Sequence, residues 1–262
     1  MDTLKEGFPS IDWKGDPSRV ENLRMVKDDE ELRQIRQAIS IAERAYSVLV
    51  NLLDPEDTEL ELCHKLEHYV HQAGGRGMAF DPIIAVGPRA ALPHAPPTEK
   101  RICESDLLLI DWGANGPFYK SDLTRVLDTR RSENSSVNQP TVEEIYDIVK
   151  QAQEAAISTI RPGVRAEEID YAARNVIAEA GYDDYFGHGL GHGFGLDIHE
   201  LPSIRPRSET VIETGMIFTI EPGIYLPGWG GVRLEDDVRV TEDGVEILTH
   251  APKELYPVFL NR

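Results

Sequence analysis

Two cysteines in 262 residues, Cys63 and Cys103, are too few for a disulfide framework. They imply a reducing compartment, and the lack of CxxC and CxxH spacings argues against a structural zinc knuckle. No run approaches the roughly 18 apolar residues of a membrane span, and the opening MDTLKEGFPS has no apolar stretch of the signal-peptide kind. No membrane partner is expected, and the expected location is cytoplasmic. Basic residues are scarce too: 27 Lys and Arg stand against 46 Asp and Glu, a formal charge of -19. Such a chain repels phosphate backbones, so nucleic acid is not an expected partner. With 40% hydrophobic and 28% charged residues, the composition is that of a soluble globular protein. Most of the acid excess reads as solvated surface, but a few acids sit in apolar runs and need another explanation.

The first residues, with Pro9, Gly15 and Pro17, read as a lead-in arm. From Asp28 the pattern turns helical, with Leu32, Ile35, Ile39, Ala42, Tyr46 and Leu49 at three- and four-residue steps. Asp54-Pro55 stops that helix. Thr58 with Glu61 forms a capping-box pattern for a second helix, which runs to about Ala73 and ends at Gly74-Gly75. Short apolar runs follow at Pro82 to Val86, Leu107 to Trp112 and Leu123 to Leu127, and read as strands. The polar segment between Arg130 and Pro140 reads as a linker. Beyond it the order repeats: helices from Thr141 to about Ile160 and from Ala166 to about Ala180, then strands around His188 to His199, Met216 to Glu221 and Val232 to Val240. Helices in one block and strands in another suggest an α+β domain of two related halves, about 28–130 and 141–250.

Three segments carry chemistry. Asp111 ends an apolar run in LLLIDWGANGPFYKSDLTRV, where a lone carboxylate is costly to bury. A turn at Gly116-Pro117 sets Asp122 opposite Asp111 on antiparallel strands. Two like charges so placed destabilise a sheet unless a cation lies between them. In GMIFTIEPGIYLPGWGGVRLEDDVRV, Glu221 and Glu235 are related in the same way about Gly228. In HGLGHGFGLDIHE, His188 and His192 have the spacing of a zinc helix, but the interleaved glycines rule out a helix. A strand pair turning near Gly195-Leu196 sets His192 across from His199. Four carboxylates and an imidazole suit a pair of divalent ions such as Mn, Co, Fe or Zn. Two such ions turn water into a nucleophile near neutral pH and polarise a carbonyl. Blander readings exist: a salt bridge from the first acid pair to Arg125, a turn cap at Glu221, an exposed-edge acid at Glu235, a buried structural histidine at His188 and a plain loop residue at His94. Arg233 reads as a charge partner of Glu235. These residues point to a dinuclear hydrolase with no substrate named.

DWG followed by SDLTR, then HGLGHGFGLDIHE, TIEPGIY and VRLEDDVRVT, resemble the pita-bread metallopeptidases: methionine aminopeptidase, aminopeptidase P and prolidase. The similarity runs from about Leu23 to Thr241. It implies the pita-bread (creatinase/aminopeptidase) fold, two pseudo-symmetric helix-helix-strand halves around a curved antiparallel sheet. Asp111 would bind one ion, Asp122 and Glu235 would bridge both, and His192 and Glu221 would hold the second. Glu221 would also shuttle a proton. His199 matches a histidine that steadies substrate and tetrahedral intermediate, His94 an active-site histidine upstream of the first Asp, and His188 one that lines the proline side. Arg233 resembles an arginine that orients active-site groups.

The 14-residue spacing of Glu221 and Glu235, the EDDV that follows and LPHAPP resemble the Xaa-Pro branch. The expected activity is hydrolysis between an N-terminal residue and proline in short peptides, aminopeptidase P-like ahead of prolidase. Methionine aminopeptidase-like activity and a non-catalytic binding module stand behind these. The resemblance implies two metal ions, manganese ahead of cobalt, zinc or iron, and is compatible with a homodimer. Most relatives of this branch carry a further N-terminal domain. Here residues 1–22 are expected to be an arm and 23–262 a single catalytic domain.

Overall fold

The computed structural model describes residues 2–13, 15, 18–92, 95–130, 140–255 and 257–259. His94 and most of the expected linker lie outside them. Two short helices open the chain, α1 (Asp2–Gly7) and α2 (Arg19–Met25). The first long helix is α3 (Asp29–Asn51), started by a capping box between Asp28 and Glu31. Leu32, Ile35, Ile39, Ala42, Tyr46 and Leu49 are all buried along its inner face, as their spacing requires. α4 (Glu59–Gln72) begins at the Thr58–Glu61 capping box, and Gly74 beyond its end has φ 95°.

Strands β1 (Gly77–Met78), β2 (Ile83–Val86), β3 (Leu107–Trp112), β4 (Ala114–Asn115) and β5 (Leu123–Asp128) complete the first half. The second half opens with α5 (Val142–Thr159), capped by Thr141 and Glu144, and α6 (Ala166–Glu179). It continues with β6 (Gly191–Gly193), β7 (Glu200–Ile204), β8 (Ile217–Ile220), β9 (Gly223–Leu226), β10 (Gly230–Arg233), β11 (Asp236–Val240) and β12 (Val245–Ile247). All named pairings are antiparallel, in a β2-β3-β5 sheet, a β12-β11-β8-β6-β7 sheet and the ribbons β9-β10 and β1-β4. The expected strand Val232–Val240 is broken at Leu234–Glu235, because the Glu235 N–H leaves its own hairpin and donates to Thr124 O at 3.2 Å. That bridge joins the two halves.

Strand alternation decides which side chains face the junction. Leu108, Ile110 and Trp112 of β3 pack with Leu62 and Leu66 of α4, which turns Asp111 to the other face. Phe218 and Ile220 of β8, with Val232 and Leu234, pack with Val149 and Ala156 of α5, which turns Glu221, Arg233 and Glu235 away from the helices. The acid-bearing faces of the two halves therefore confront each other.

Trp112 anchors this arrangement in the first half. It is fully buried, stacks on Tyr46 with ring centroids 4.4 Å apart, and donates from Nε1 to Ala42 O at 3.1 Å. Trp112→Ala is expected to destabilise the protein by about 3–5 kcal/mol in urea denaturation. A loss below about 1 kcal/mol would mean that the strand is held without this anchor.

Candidate metal centre

The β9–β10 register pairs Gly223 with Arg233, and the β8–β11 register pairs Ile220 with Asp236. Glu221 and Glu235 therefore face each other, and the turn pivots at Gly228, whose φ is 81°. Both backbone N–H groups point out of the hairpin, Glu221 to Leu190 O at 2.8 Å and Glu235 to Thr124 O at 3.2 Å. This is the non-hydrogen-bonded kind of antiparallel pair, in which side chains approach most closely.

The first hairpin departs from expectation by one step. Asp111 faces Thr124, and Asp122 lies two residues before that partner, on the same face. The shift comes from the turn: Gly116 N–H donates to Tyr119 O at 2.9 Å, and Asn115 bridges Lys120. The pivot is thus Pro117-Phe118 rather than Gly116-Pro117, with proline at the turn position that suits its fixed φ. Gly116 stands just before the turn, where a Cβ would lie 2.9 Å from Tyr119 O across the hairpin and 3.2 Å from the Ala38 Cβ of α3.

The histidine segment forms a strand pair, but His192 faces Ser203, not His199: the pairing of Gly193 with Glu200 puts the pivot at Leu196-Asp197, one residue later than expected, and a bulge at His192/Gly193 shifts the register further. His199 instead meets His192 through its ring, at a centroid distance of 4.5 Å. The glycines permit close backbone approach: a Cβ at Gly191 would stand 1.9 Å from Thr219 O and one at Gly193 2.1 Å from Leu201 O. His192 Nδ1 lies 3.0 Å from Gly193 O, so it carries the proton. The Nε2 lone pair is left facing Glu221 Oε1 at 3.4 Å and Asp122 Oδ2 at 3.6 Å.

Arg233 pairs with Asp111 rather than with Glu235, donating from Nη2 to Asp111 Oδ2. It reaches Glu235 through Thr124: Arg233 Nε donates to Thr124 Oγ1 at 3.1 Å, and that hydroxyl donates to Glu235 Oε2 at 2.6 Å. Its Nη1 donates to Tyr225 Oη at 2.9 Å, and Tyr225 lies 2.7 Å from His188 Nε2. Residue-by-residue reading missed Thr124 and Tyr225. The signal for Thr124 was a lone hydroxyl in a buried strand, and for Tyr225 its place two residues into β9.

Asp122, His192 and Glu235 each offer one donor atom, all within 4.8 Å of one another. Glu221 stands beside His192, and Asp111 joins through Arg233. Burial pushes the Asp122 carboxyl up, and repulsion from Glu235, Asp111, Asp237 and Glu221 adds to it. Burial also raises Glu235, with Glu221 and Asp111 contributing. Glu221 is pushed up to about 8, mainly by burial, against the pull of Arg233. The imidazole of His192 falls to about 4 for the same reason, so it is neutral at pH 7. Carboxyls crowded until they resist ionisation, around a neutral imidazole with its lone pair inward, fit a divalent cation: a positive charge relieves the repulsion, and the donors are the oxygens and nitrogen such ions take.

The seam between two pseudo-symmetric halves thus defines a carboxylate-rich centre of the hydrolytic metal type. The chain matches metallopeptidase family M24 over residues 33–242 and belongs to that family. It is 42% identical over 255 residues to the Xaa-Pro dipeptidase of Pyrococcus horikoshii, covering 97% of this chain and 71% of that protein. It is 41% identical to the uncharacterized peptidase YqhT of Bacillus subtilis, covering 90% of this chain and 65% of that one. The chain therefore spans about two thirds of the length of these curated relatives. The crystal structure of X-Pro aminopeptidase from Thermotoga maritima superposes with a TM-score of 0.88 at 39% identity, over 97% of this chain and 71% of that one. The fold is the pita-bread fold, and the family implies divalent metal ions.

The raised carboxyls set the pH dependence of loading. Glu221, pushed up to about 8, holds its proton in the metal-free protein at pH 7, so binding Mn2+ must displace it. Calorimetry in buffers of different ionisation enthalpy is expected to detect proton release at pH 7. Apparent affinity is expected to climb until about pH 8, where Glu221 loses its proton unaided. Loading that releases no protons would contradict this electrostatic picture.

Proposed function

We propose that the chain is a metal-dependent exopeptidase that hydrolyses the bond between an N-terminal residue and proline. The observation that carries the reading is the convergence of Asp122, His192 and Glu235 within 4.8 Å beside the His188–Tyr225–Arg233 chain. We assign the metal set as Asp111, Asp122, His192, Glu221 and Glu235, with two ions, manganese first and cobalt, zinc or iron as alternatives. When bound, the ions supply an activated water and polarise the scissile carbonyl.

The protein's own groups do the rest. Arg233 holds Asp111 and, through Thr124, orients the Glu235 carboxylate. Glu221 takes the proton of the attacking water and passes it to the prolyl nitrogen, which leaves as a secondary amine. His199, packed edge-on against His192, donates a hydrogen bond to the carbonyl oxygen as it becomes tetrahedral. His188 with Phe186 and Tyr225, their rings 5.0 and 5.4 Å from its own, walls the pocket for the pyrrolidine ring. His94 is assigned to substrate binding and catalysis by its match to the family motif.

The substrates are short peptides with proline second. We place residues 23–262 in one catalytic domain preceded by an arm at 1–22, assign the protein to the cytoplasm, and include a homodimer in the proposal. No helix among the described residues is long and apolar enough to cross a membrane. The aminopeptidase form is the first reading. The dipeptidase form is the second, favoured by the 42% identity to the Pyrococcus Xaa-Pro dipeptidase.

The deciding assay reloads metal-free protein with Mn2+, Co2+ or Zn2+ and offers Xaa-Pro, Xaa-Pro-Yaa and Met-Ala-Yaa. Release of the first residue from Xaa-Pro-Yaa is expected. Cleavage of the dipeptide alone would establish the dipeptidase form, preference for the methionyl peptide would overturn the branch, and no cleavage with any metal would favour a binding module. Asp122→Ala and Glu235→Ala are each expected to abolish turnover and at least one bound metal. Near-wild-type turnover in either variant would sink the two-metal reading.

A further inference from the structure

Gln153 lies on α5 and is fully buried. An amide there is costly unless it is fully hydrogen-bonded. Its Nε2 donates to Ile220 O at 3.1 Å and to Leu234 O at 3.3 Å, and its Oε1 accepts from Lys253 Nζ at 3.2 Å. Ile220 and Leu234 are the residues immediately before Glu221 and Glu235. One amino group therefore grips both strands of the ligand hairpin one residue upstream of each acid.

The hairpin needs this help for a reason written in its sequence. The register that pairs Gly223 with Arg233 sets Pro222 opposite Leu234, and Leu234 N–H donates to Pro222 O at 3.3 Å. An antiparallel pair of this kind exchanges two bonds, and the second requires an N–H on residue 222. Proline has none. The carbonyl of Leu234 is thus deprived of its ladder donor at the step next to the two glutamates. The side chain of Gln153 occupies the donor's place.

We propose that Gln153 is a positioning residue for the metal centre: it stands in for the N–H that Pro222 lacks, and so fixes the step of the hairpin that presents Glu221 and Glu235. Two neighbours complete the hold. Arg125 Nη1 donates to Glu235 O at 2.6 Å, and Lys253 ties the Gln153 carbonyl to Asp236 Oδ2, 2.6 Å from its Nζ. The proposal rests on the reading of Glu221 and Glu235 as metal ligands.

The test is Mn2+ binding to metal-free protein by calorimetry, compared among wild type, Gln153→Met and Gln153→Met with Pro222→Ala. Methionine keeps the bulk and removes the donor. It is expected to weaken Mn2+ binding about 10–100-fold, the usual effect of removing a group that orients metal ligands. Pro222→Ala returns an N–H to residue 222, so the double variant is expected to recover most of that loss. A role in packing alone would not respond to a backbone N–H restored on another strand. Wild-type affinity in Gln153→Met, or a double variant no better than the single one, would overturn the proposal. If Gln153→Met does not fold, the double variant decides: it is expected to fold and bind, and its failure to do so would overturn the proposal. Absence of Mn2+ binding by the wild-type protein would instead bring down the ligand reading, and the proposal with it.

Discussion

Asp111, Asp122 and Glu235 are buried, and Glu221 is partly so, in a space where Arg233 is the cation placed against them. Charges so crowded repel strongly where water cannot screen them. The surrounding structure answers that repulsion. Arg233 spreads its three nitrogens over Asp111, Thr124 and Tyr225, and Thr124 passes one hydrogen bond on to Glu235. Burial holds the histidine neutral, so it adds no further charge and keeps a lone pair for a cation. A divalent ion completes the balance that the side chains leave open.

Neither half builds this centre by itself. Of the proposed metal set, the first half contributes Asp111 and Asp122, and the second His192, Glu221 and Glu235. Each set faces the junction because strand alternation commits its neighbours to the helices behind: Leu108 and Ile110 toward α4, and Phe218 and Leu234 toward α5. Thr124 and Glu235 meet through backbone and side chain at once, so the two sheets are stitched at a residue of the proposed metal set. Precision in the site thus follows from packing on the far side of each sheet.

Much of this was legible in the sequence, and where the reading slipped the cause is physical. The inward positions of α3 and the Thr58–Glu61 capping box of α4 follow from local rules, and so does the second hairpin, whose glycine at 228 takes the positive φ that a tight reversal needs. In the first hairpin, Gly116 looked like the pivot because glycine commonly is one. A Cβ there would crowd Tyr119 O across the hairpin as well as Ala38 of α3, and the turn falls one residue later. The bulge beside His192 likewise left no local mark. Arg125, weighed as a surface partner for the first acid pair, is buried and bound to Asp236 and to the backbone of Glu235. Such long-range pairings, including that of Gln153 with the second hairpin, depend on how helices land on sheets, which periodicity does not encode.

The seam at Thr124 and Glu235 has a kinetic side. The hydrogen bond between them spans 111 residues of chain, and no short segment carries the full donor set. Contacts of such separation are slow to close, because loop entropy must be overcome before they return any stabilisation. A cation therefore has no early nucleus to grip, and the centre matures only when both halves have docked. Tight metal uptake would mark a chain that has finished folding, and a chain stalled with either half unformed would remain empty-handed.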